Sequence, residues 1–396
     1  MRGRFPIHPT VTRLASAHFV ADAYSNMYAP LLPALIPRLG LSLTAAGTLA
    51  MLFQMAASVS QPLFGHLADR WKPRVLLLAG PVVSVVVLSL IGRAWSAPAL
   101  AVVLLVGGLG GAAFHPAAAA VVHRVGGERR GLAMSWHITG GSIGYSLGPL
   151  VFAAYVDRFG LPWTPLLAVP GLALLGYVLR RIPPVEPFNR GHGGGWRGLR
   201  PHALPLFLLW AIVVLRTLVS LSIATFVPVL LTRQGWSVAA AGMVVSIYLF
   251  TASVGVLLGG PLSDRVGPRR VIAVSLLAAA PFVGIAPNLE GWAFVAALAL
   301  AGLFLQSTLP VNVTFAHTIA PESAATVSSL MMGLAWGTGG LAVPLVGMLA
   351  DRIGIQHALM VLALLPLVGA ACVLPLPRTR VRVAEVTVGQ SRAAGV

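Results

Sequence analysis

Two charged side chains stand inside long apolar segments of the chain and could do chemistry there. Asp22 is the only acidic residue between positions 12 and 36, and Arg216 is the only charged residue between positions 205 and 231. A buried carboxylate can carry a proton, and a guanidinium can bind phosphate, phosphonate or carboxylate through two parallel hydrogen bonds. Because a charge at the centre of a membrane costs about 2.5 to 3.5 kcal/mol on insertion scales, we interpret both residues as functional.

The same two residues occupy matching positions of an internal repeat. They lie 194 positions apart, and Asp69 and Asp264 lie 195 apart in the related stretches GHLADRWKPRV and GPLSDRVGPRRV. The offset of 194 also relates four further pairs: Pro116 and Pro310, His123 and His317, Glu128 and Glu322, and Asp157 and Asp351. The sequence therefore predicts two homologous halves.

The elements that position these residues are predicted to be membrane-spanning helices. Hydrophobic residues form 57% of the chain and charged residues 9%, whereas soluble domains carry about 25% charged residues. A span needs roughly 20 apolar residues. Twelve such runs occur, approximately at 12–36, 45–66, 74–93, 98–122, 131–156, 163–181, 205–231, 238–260, 270–287, 292–317, 325–350 and 356–375. We expect an all-α membrane protein with a six-helix bundle at 1–181, a cytoplasmic linker at 182–203, a second bundle at 204–377 and a cytoplasmic tail at 378–396.

The net charge of +17 would suggest nucleic acid as a partner in a soluble protein. Of the 27 basic residues, however, 21 fall in the termini, the linker and the loops on their side, and five on the other side: Arg38, Arg93, Arg158, Arg233 and Arg352. This bias favours cytoplasmic termini in a bacterial inner membrane and excludes nucleic acid. We expect a monomer in the lipid bilayer, without cofactor or metal.

Twelve spans in two repeats, joined by a basic loop, resemble the Major Facilitator Superfamily of secondary transporters. The family's GxxxDRxGRR motif is matched in part twice: Lys72 and Pro73 depart from it in the first copy, and the second copy keeps its inner glycine, Gly267. The resemblance implies a cluster that closes the cytoplasmic side. Its candidate residues are Gly65, Asp69, Arg70, Arg74 and Glu128 in the first half, and Gly260, Asp264, Arg265, Arg269 and Glu322 in the second. Alternatively, these arginines only anchor the topology.

The fifth predicted span contains GGSIGYSLGPLVF, which includes Gly144, Gly148 and Pro149. Its GxxxGP core resembles the motif of proton-coupled exporters in the superfamily, although Phe152 and Ala153 replace the glycine pair expected after it. Simple close packing of helices is the alternative. Read together, AHFVADAYSNMYAPLLPALIP and GGLGGAAFHPAAAAVV resemble the first and fourth helices of fosmidomycin resistance transporters. This resemblance implies export of a small organic or drug-like substrate.

Polar and aromatic side chains inside the spans predict a wet central cavity. His18, Asp22 and Asn26 are four residues apart and so share one face of the first helix. The remaining candidates for substrate binding are Gln54, His115, Trp136, His137, Arg216, Gln306, Asn312 and Trp336. The Asn and Gln side chains fit hydrogen bonds between helices equally well.

We predict alternating access in which Asp22 carries the proton, with His18 and Arg216 as partners. Removal from water favours a neutral carboxylate and a nearby arginine favours the charged form, so proton and substrate would compete. Three alternatives stay open: a permanent bridge between Asp22 and Arg216, a symporter importing an organic anion, and a membrane sensor without transport. No HExxH or GxxxxGK[ST] motif supports an enzyme or an ATP-driven pump.

Overall fold

The computed structural model describes residues 7–70, 73–127, 130–183 and 196–377, and in these ranges every regular element is helical. The first half contains α1 (Pro9–Ser25), α2 (Tyr28–Leu39), α3 (Leu43–Ser58), α4 (Gln61–Arg70), α5 (Pro73–Ser89), α6 (Ala97–Val125), α7 (Arg130–Phe159) and α8 (Ala168–Leu179). The second half contains α9 (Ala203–Arg233), α10 (Val238–Val266), α11 (Pro268–Ile285), α12 (Gly291–Ile319), α13 (Ala324–Ser328), α14 (Ala335–Leu341), α15 (Val343–Ile353), α16 (Ile355–Val361) and α17 (Leu364–Ala371).

Short helical segments of other types extend these helices. The 3₁₀ segments are Leu90–Arg93, Leu161–Leu167, Trp196–His202, Ala286–Asn288 and Pro321–Ser323, and Ser329–Leu334 is π-helical. Of the predicted linker, residues 184–195 lie outside the described ranges, as does the predicted tail at 378–396.

Nine helical stretches within the described residues are long and apolar enough to cross a membrane. They are Leu43–Ala68, Arg74–Arg93, Ala97–Val125, Leu161–Leu179, Leu199–Arg233, Val238–Val266, Pro268–Asn288, Gly291–Ile319 and Thr326–Ile353. The protein is therefore a multi-pass membrane protein.

The first predicted span, expected as one helix, is broken in the structure. α1 ends at Ser25 and α2 begins at Tyr28. Pro30 explains the break, because a proline ring clashes with the carbonyl group four residues earlier and here that residue is Asn26. The break follows directly after the turn that carries Asp22.

The glycines of α7 bring its backbone against the backbone of α1. A Cβ atom on Gly140, Gly144 or Gly148 would lie 2.3, 2.0 and 2.6 Å from the carbonyl oxygens of Ala15, Phe19 and Ala23, respectively. The three glycines are four positions apart on α7, and the three residues that they face are four positions apart on α1. One stripe of glycines therefore packs along one ridge of the α1 backbone. This close approach fixes the distance between α7 and the polar face of α1.

We expect Gly144→Ala to destabilise the protein by about 3 kcal/mol, because overpacking a tight contact forces the helices apart. The midpoint of thermal unfolding in detergent would measure the loss. Gly176→Ala in α8 is the control, since its Cβ would meet only the Arg180 Nη2 atom, at 3.9 Å. An equal midpoint for the two variants would show that the glycine stripe does not set the packing.

The two halves meet near one face, which we call the distal face and which lies opposite residues 7 and 377, the ends of the described chain. It contains the connections at residues 40–42, 94–96, 160, 234–237, 289–290 and 354. One seam joins α3 to α15, where a Cβ on Gly347 would lie 2.4 Å from the Leu43 carbonyl oxygen. The other joins α7 to α10, where the Leu150 N–H donates to the Ser246 hydroxyl at 2.9 Å. Both seams close the space between the halves at this face.

Candidate functional site

Three helices of the first half bring together four side chains, His18, Asp22, His115 and His137, which we call the His–Asp cluster. The Asp22 Oδ2 atom lies 3.1 Å from His18 Nε2, and its Oδ1 atom lies 3.5 Å from His115 Nε2. The ring of His137 stacks on that of His18, with centroids 4.3 Å apart. The Asp22 side chain is 19% exposed and that of His115 28%, so water can reach the carboxylate.

The hydrogen bonds of His18 require a proton between it and Asp22. The His18 Nδ1 atom lies 2.9 Å from the backbone carbonyl oxygen of His137. A carbonyl oxygen only accepts, so Nδ1 carries the hydrogen and Nε2 of a neutral ring is an acceptor. Asp22 is also an acceptor when it is ionised. The 3.1 Å contact therefore holds a proton, on Asp22 or on His18.

Gly141 leaves the space that the side chains of His18 and Asp22 occupy. A Cβ atom at position 141 would lie 2.5 Å from His18 Nε2 and 2.6 Å from Asp22 Oδ2. Phe114 covers the cluster from α6, with its ring centroid 5.9 Å from that of His18. A glycine on α7 and an aromatic wall on α6 thus set the geometry of the acid on α1.

The cluster also has the donor set of a cation site. The ligand atoms of His18, Asp22 and His115 all lie within 4.8 Å of one another, and two imidazoles with a carboxylate suit a zinc-class ion. The expectation of no metal therefore remains a prediction.

A second polar group lies in the other half, around Arg216, which is 1% exposed. The Arg216 Nη1 atom donates to Gln306 Oε1, and its Nη2 atom donates to the Thr217 hydroxyl at 3.4 Å. Ser220 accepts hydrogen bonds from Gln306 Nε2 at 3.3 Å and from the Tyr248 hydroxyl at 3.0 Å. We call Arg216, Gln306, Ser220 and Tyr248 the arginine network.

The guanidinium of Arg216 has no carboxylate partner among the described residues. Its Cζ atom lies 5.5 Å from the Trp336 ring centroid, and its Nε atom is buried without a hydrogen-bond partner in this part of the chain. A buried cation without a counter-ion is costly. An anionic ligand would supply the missing charge.

Asp22 and Arg216 form no ion pair in this conformation. Each has polar partners from its own half, the imidazoles for Asp22 and Gln306 with Thr217 for Arg216. The permanent bridge weighed from the sequence is therefore absent from this state of the molecule.

Four other predicted binding residues make no hydrogen bond to either of these two groups. Asn26 donates to the Tyr145 carbonyl oxygen at 2.9 Å, and Gln54 donates to the Ser58 hydroxyl at 2.6 Å. Trp136 lines a separate groove of about 250 Å³ with residues such as Thr12 and Phe19. Asn312 is fully buried, and its amide nitrogen and oxygen have no partner among the described residues.

The predicted cytoplasmic gate is described only in part. Asp69 and Arg70 end α4, but the structure does not describe their side chains or the side chain of Glu322. Glu128 lies outside the described residues. Arg74, Asp264 and Arg265 are exposed. Arg269 donates from Nη2 to the Leu374 carbonyl oxygen at 2.8 Å. Among the described residues, the nearest contact to a Cβ on Gly65 is Pro116 at 3.7 Å, and no atom lies within 4 Å of a Cβ on Gly260.

Two residues that shape these polar groups were not among the candidates from the sequence. Tyr248 completes the arginine network, but a tyrosine in an apolar helix gives no local signal of its hydrogen bond to Ser220. Gly141 was visible in the glycine-rich span, yet only the structure shows that it faces His18 and Asp22 rather than the bare backbone of α1.

Two curated relatives match nearly the full chain, and a third matches about two thirds of it. The fosmidomycin resistance protein of Escherichia coli (strain K12) is 27% identical over 373 residues, with 90% of each chain covered. YfnC of Bacillus subtilis (strain 168), an uncharacterized MFS-type transporter, is 28% identical, with 92% of this chain and 91% of the relative covered. The multidrug resistance protein MdtG of Citrobacter koseri is 25% identical, with 65% and 67% covered.

Solved structures agree on the fold. A bacterial homologue of the human lysosomal transporter Spinster, in an inward-facing and occupied conformation, superposes with a TM-score of 0.79 at 17% identity, covering 92% of this chain and 95% of that one. The nucleoside transporter NupG gives 0.72 at 14% identity, covering 92% and 98%. The sequence profile of the Major Facilitator Superfamily matches residues 14–237 and 208–392. The chain belongs to the Major Facilitator Superfamily and is a membrane transporter, not an enzyme.

Proposed function

We propose that this transporter exports a small organic molecule in exchange for protons, by alternating access. The observation that carries the proposal is the contact of His18 with Asp22, which holds a proton at a site that water reaches. A proton bound there can leave when the cavity opens to the side of lower proton concentration. The relatives named for fosmidomycin resistance and multidrug resistance support efflux.

The twelve predicted spans remain part of this proposal. Nine helices of the described ranges have the length and composition of a span. The other three crossings are the broken pair α1 and α2, the long α7 with its internal histidine and serines, and the short pair α16 and α17. With the basic residues of the chain ends in the cytoplasm, the distal face is extracellular and the cavity in this conformation opens toward the cytoplasm.

Flux measured in proteoliposomes tests the exporter proposal. Purified protein, reconstituted with a pH gradient across the membrane, would be given a panel of small organic anions, cations and neutral compounds. Antiport predicts that substrate moves against the direction of proton flow. Substrate that moves with the protons would instead support the symporter.

A proton-coupled importer of organic anions is the second candidate. It is favoured by Arg216, whose buried charge lacks a counter-ion in the described part of the chain. The fold and both polar groups are compatible with either direction, so only the flux measurement separates them.

We further propose that the two copies of the GxxxDRxGRR-like motif close the cytoplasmic side when the distal side opens. Asp264→Asn and Asp69→Asn should each lower transport several-fold at normal expression, because a neutral side chain loses its charge-assisted hydrogen bonds. Initial transport rates at matched protein amounts would measure this. Glu290→Gln, an exposed carboxylate at the distal face, is the control. Wild-type rates for both motif variants would leave the motif as a topology anchor only.

A further inference from the structure

The seam between α3 and α15 contains a polar contact between the halves that no predicted site includes. The Asp351 carboxylate accepts hydrogen bonds from the backbone N–H groups of Leu43 at 2.9 Å and Thr44 at 2.8 Å. It also accepts from the Thr44 hydroxyl at 2.6 Å. Asp351 belongs to the second half and α3 to the first, so three hydrogen bonds of one side chain join the halves at the distal face.

This contact completes the capping of α3. The first N–H groups of a helix lack partners within the helix, and the positive end of its dipole favours an anion. The Ser42 hydroxyl accepts from the N–H of Ala45 at 3.0 Å, and the Asp351 carboxylate accepts from those of Leu43 and Thr44. Opening the distal face would break these hydrogen bonds and expose the N–H groups and the carboxylate to water.

The equivalent seam lacks the contact. The repeat relates Asp351 to Asp157, and α3 to α10, whose capping serine is Ser237. Asp157 is exposed and makes no hydrogen bond to any described residue. The seam between α7 and α10 is held instead by close packing, with a Cβ on Gly242 placed 2.6 Å from the Pro149 carbonyl oxygen, and by the hydrogen bond from Leu150 to Ser246.

We propose that Asp351 is a gating residue of the transport cycle: its carboxylate clasps the N terminus of α3 and holds the distal side closed while the cavity opens to the cytoplasm. The clasp acts on one seam only, so the distal gate is asymmetric although the two halves are homologous. Asp351 touches neither polar group of the cavity and acts through the position of α3. The proposal rests on alternating access.

Asp351→Asn is the direct test, with Asp157→Asn as the matched control at the equivalent position. Asparagine keeps the shape but turns an N–H group toward the donors of α3. Because a hydrogen bond to a charged group stabilises strongly but this one is partly exposed, we expect the ratio of distal-open to distal-closed molecules to rise on the order of tenfold. Thr44→Val, which removes only the hydroxyl donor, should shift the ratio in the same direction by less.

The ratio can be read from distances between spin labels at the distal face, in full-length protein in nanodiscs. Arg93→Cys and Glu290→Cys place one label on each half at exposed positions, in a Cys372→Ser background that removes the single native cysteine. The proposal predicts a larger population at the longer distance in Asp351→Asn and no change in Asp157→Asn.

A distance distribution in Asp351→Asn that equals that of the wild type would overturn the clasp. So would an equal shift in Asp351→Asn and Asp157→Asn. If Asp351→Asn does not fold, an unchanged distribution in Thr44→Val overturns it. A single distance in every protein, wild type included, would overturn alternating access itself, whereas two populations in the wild type that no variant shifts would overturn the clasp alone.

Discussion

Asp22→Asn is expected to abolish transport driven by a pH gradient while substrate binding and substrate exchange persist. The asparagine amide can donate to His18 Nε2 across the present 3.1 Å contact, so it imitates the protonated carboxylate and keeps the packing of α1. It cannot release the proton. Uptake and efflux in proteoliposomes, with and without the gradient, would show loss of gradient-driven flux and retention of exchange.

Asp157→Asn is a suitable control for this variant, because it removes an exposed carboxylate that makes no hydrogen bond to described residues. It should transport at the wild-type rate. Gradient-driven transport that survives in Asp22→Asn would remove Asp22 from the coupling mechanism and leave it a structural role beside the histidines.

Arg216→Ala is expected to weaken the binding of anionic substrates most. Truncating one partner of a buried, hydrogen-bonded charge pair costs about 2 to 5 kcal/mol, or about 30-fold to 4,000-fold in affinity. Neutral substrates should lose much less. Equilibrium binding of a charged and a neutral substrate to the purified variant would measure the difference.

Arg216→Lys separates the charge from the shape of the guanidinium, because lysine keeps the charge but cannot form two parallel hydrogen bonds. We expect its affinity for anions to lie between those of wild type and Arg216→Ala. Arg158→Ala, at an exposed position at the end of α7, is the control for loss of a cation. Equal losses for anionic and neutral substrates would identify Arg216 as a structural residue of the arginine network.

Much of the helical architecture could be predicted because a membrane span leaves a long apolar signal. Composition and the repeat of Asp22 and Arg216 indicated helices in two homologous halves, and the helices of the structure lie where apolar runs occur. The break between α1 and α2 was missed since apolar length alone does not reveal it. Its cause is nevertheless visible in the sequence, because Pro30 predicts a clash with the carbonyl group of Asn26.

The site was predictable within one helix but not between helices. The four-residue spacing placed His18 next to Asp22, and the structure brings them together. The approach of His115 from α6 depends on crossing angles and glycine contacts that no local spacing encodes. Likewise, the offset of 194 identified Asp351 and Asp157 as equivalent, but only the packing of the halves shows that one of them bonds to α3.

The absence of an Asp22 to Arg216 pair limits how the two charges can interact. In this conformation the arginine network is complete within its own half except for the Nε atom of Arg216. An anionic substrate bound at Arg216 would favour the protonated form of Asp22 by repulsion, which is the coupling of a symporter. A cationic substrate would favour release of the proton, which is the coupling of an antiporter.

The central claim is that a proton at the contact of His18 with Asp22 competes with substrate. Proton release on substrate binding tests it most directly, measured with a pH indicator in weakly buffered solution of purified protein after addition of a substrate identified by the flux panel. Antiport predicts release of protons by the wild type in proportion to the substrate bound, and no release by Asp22→Asn, which still binds. Binding to the wild type without release of protons would contradict it.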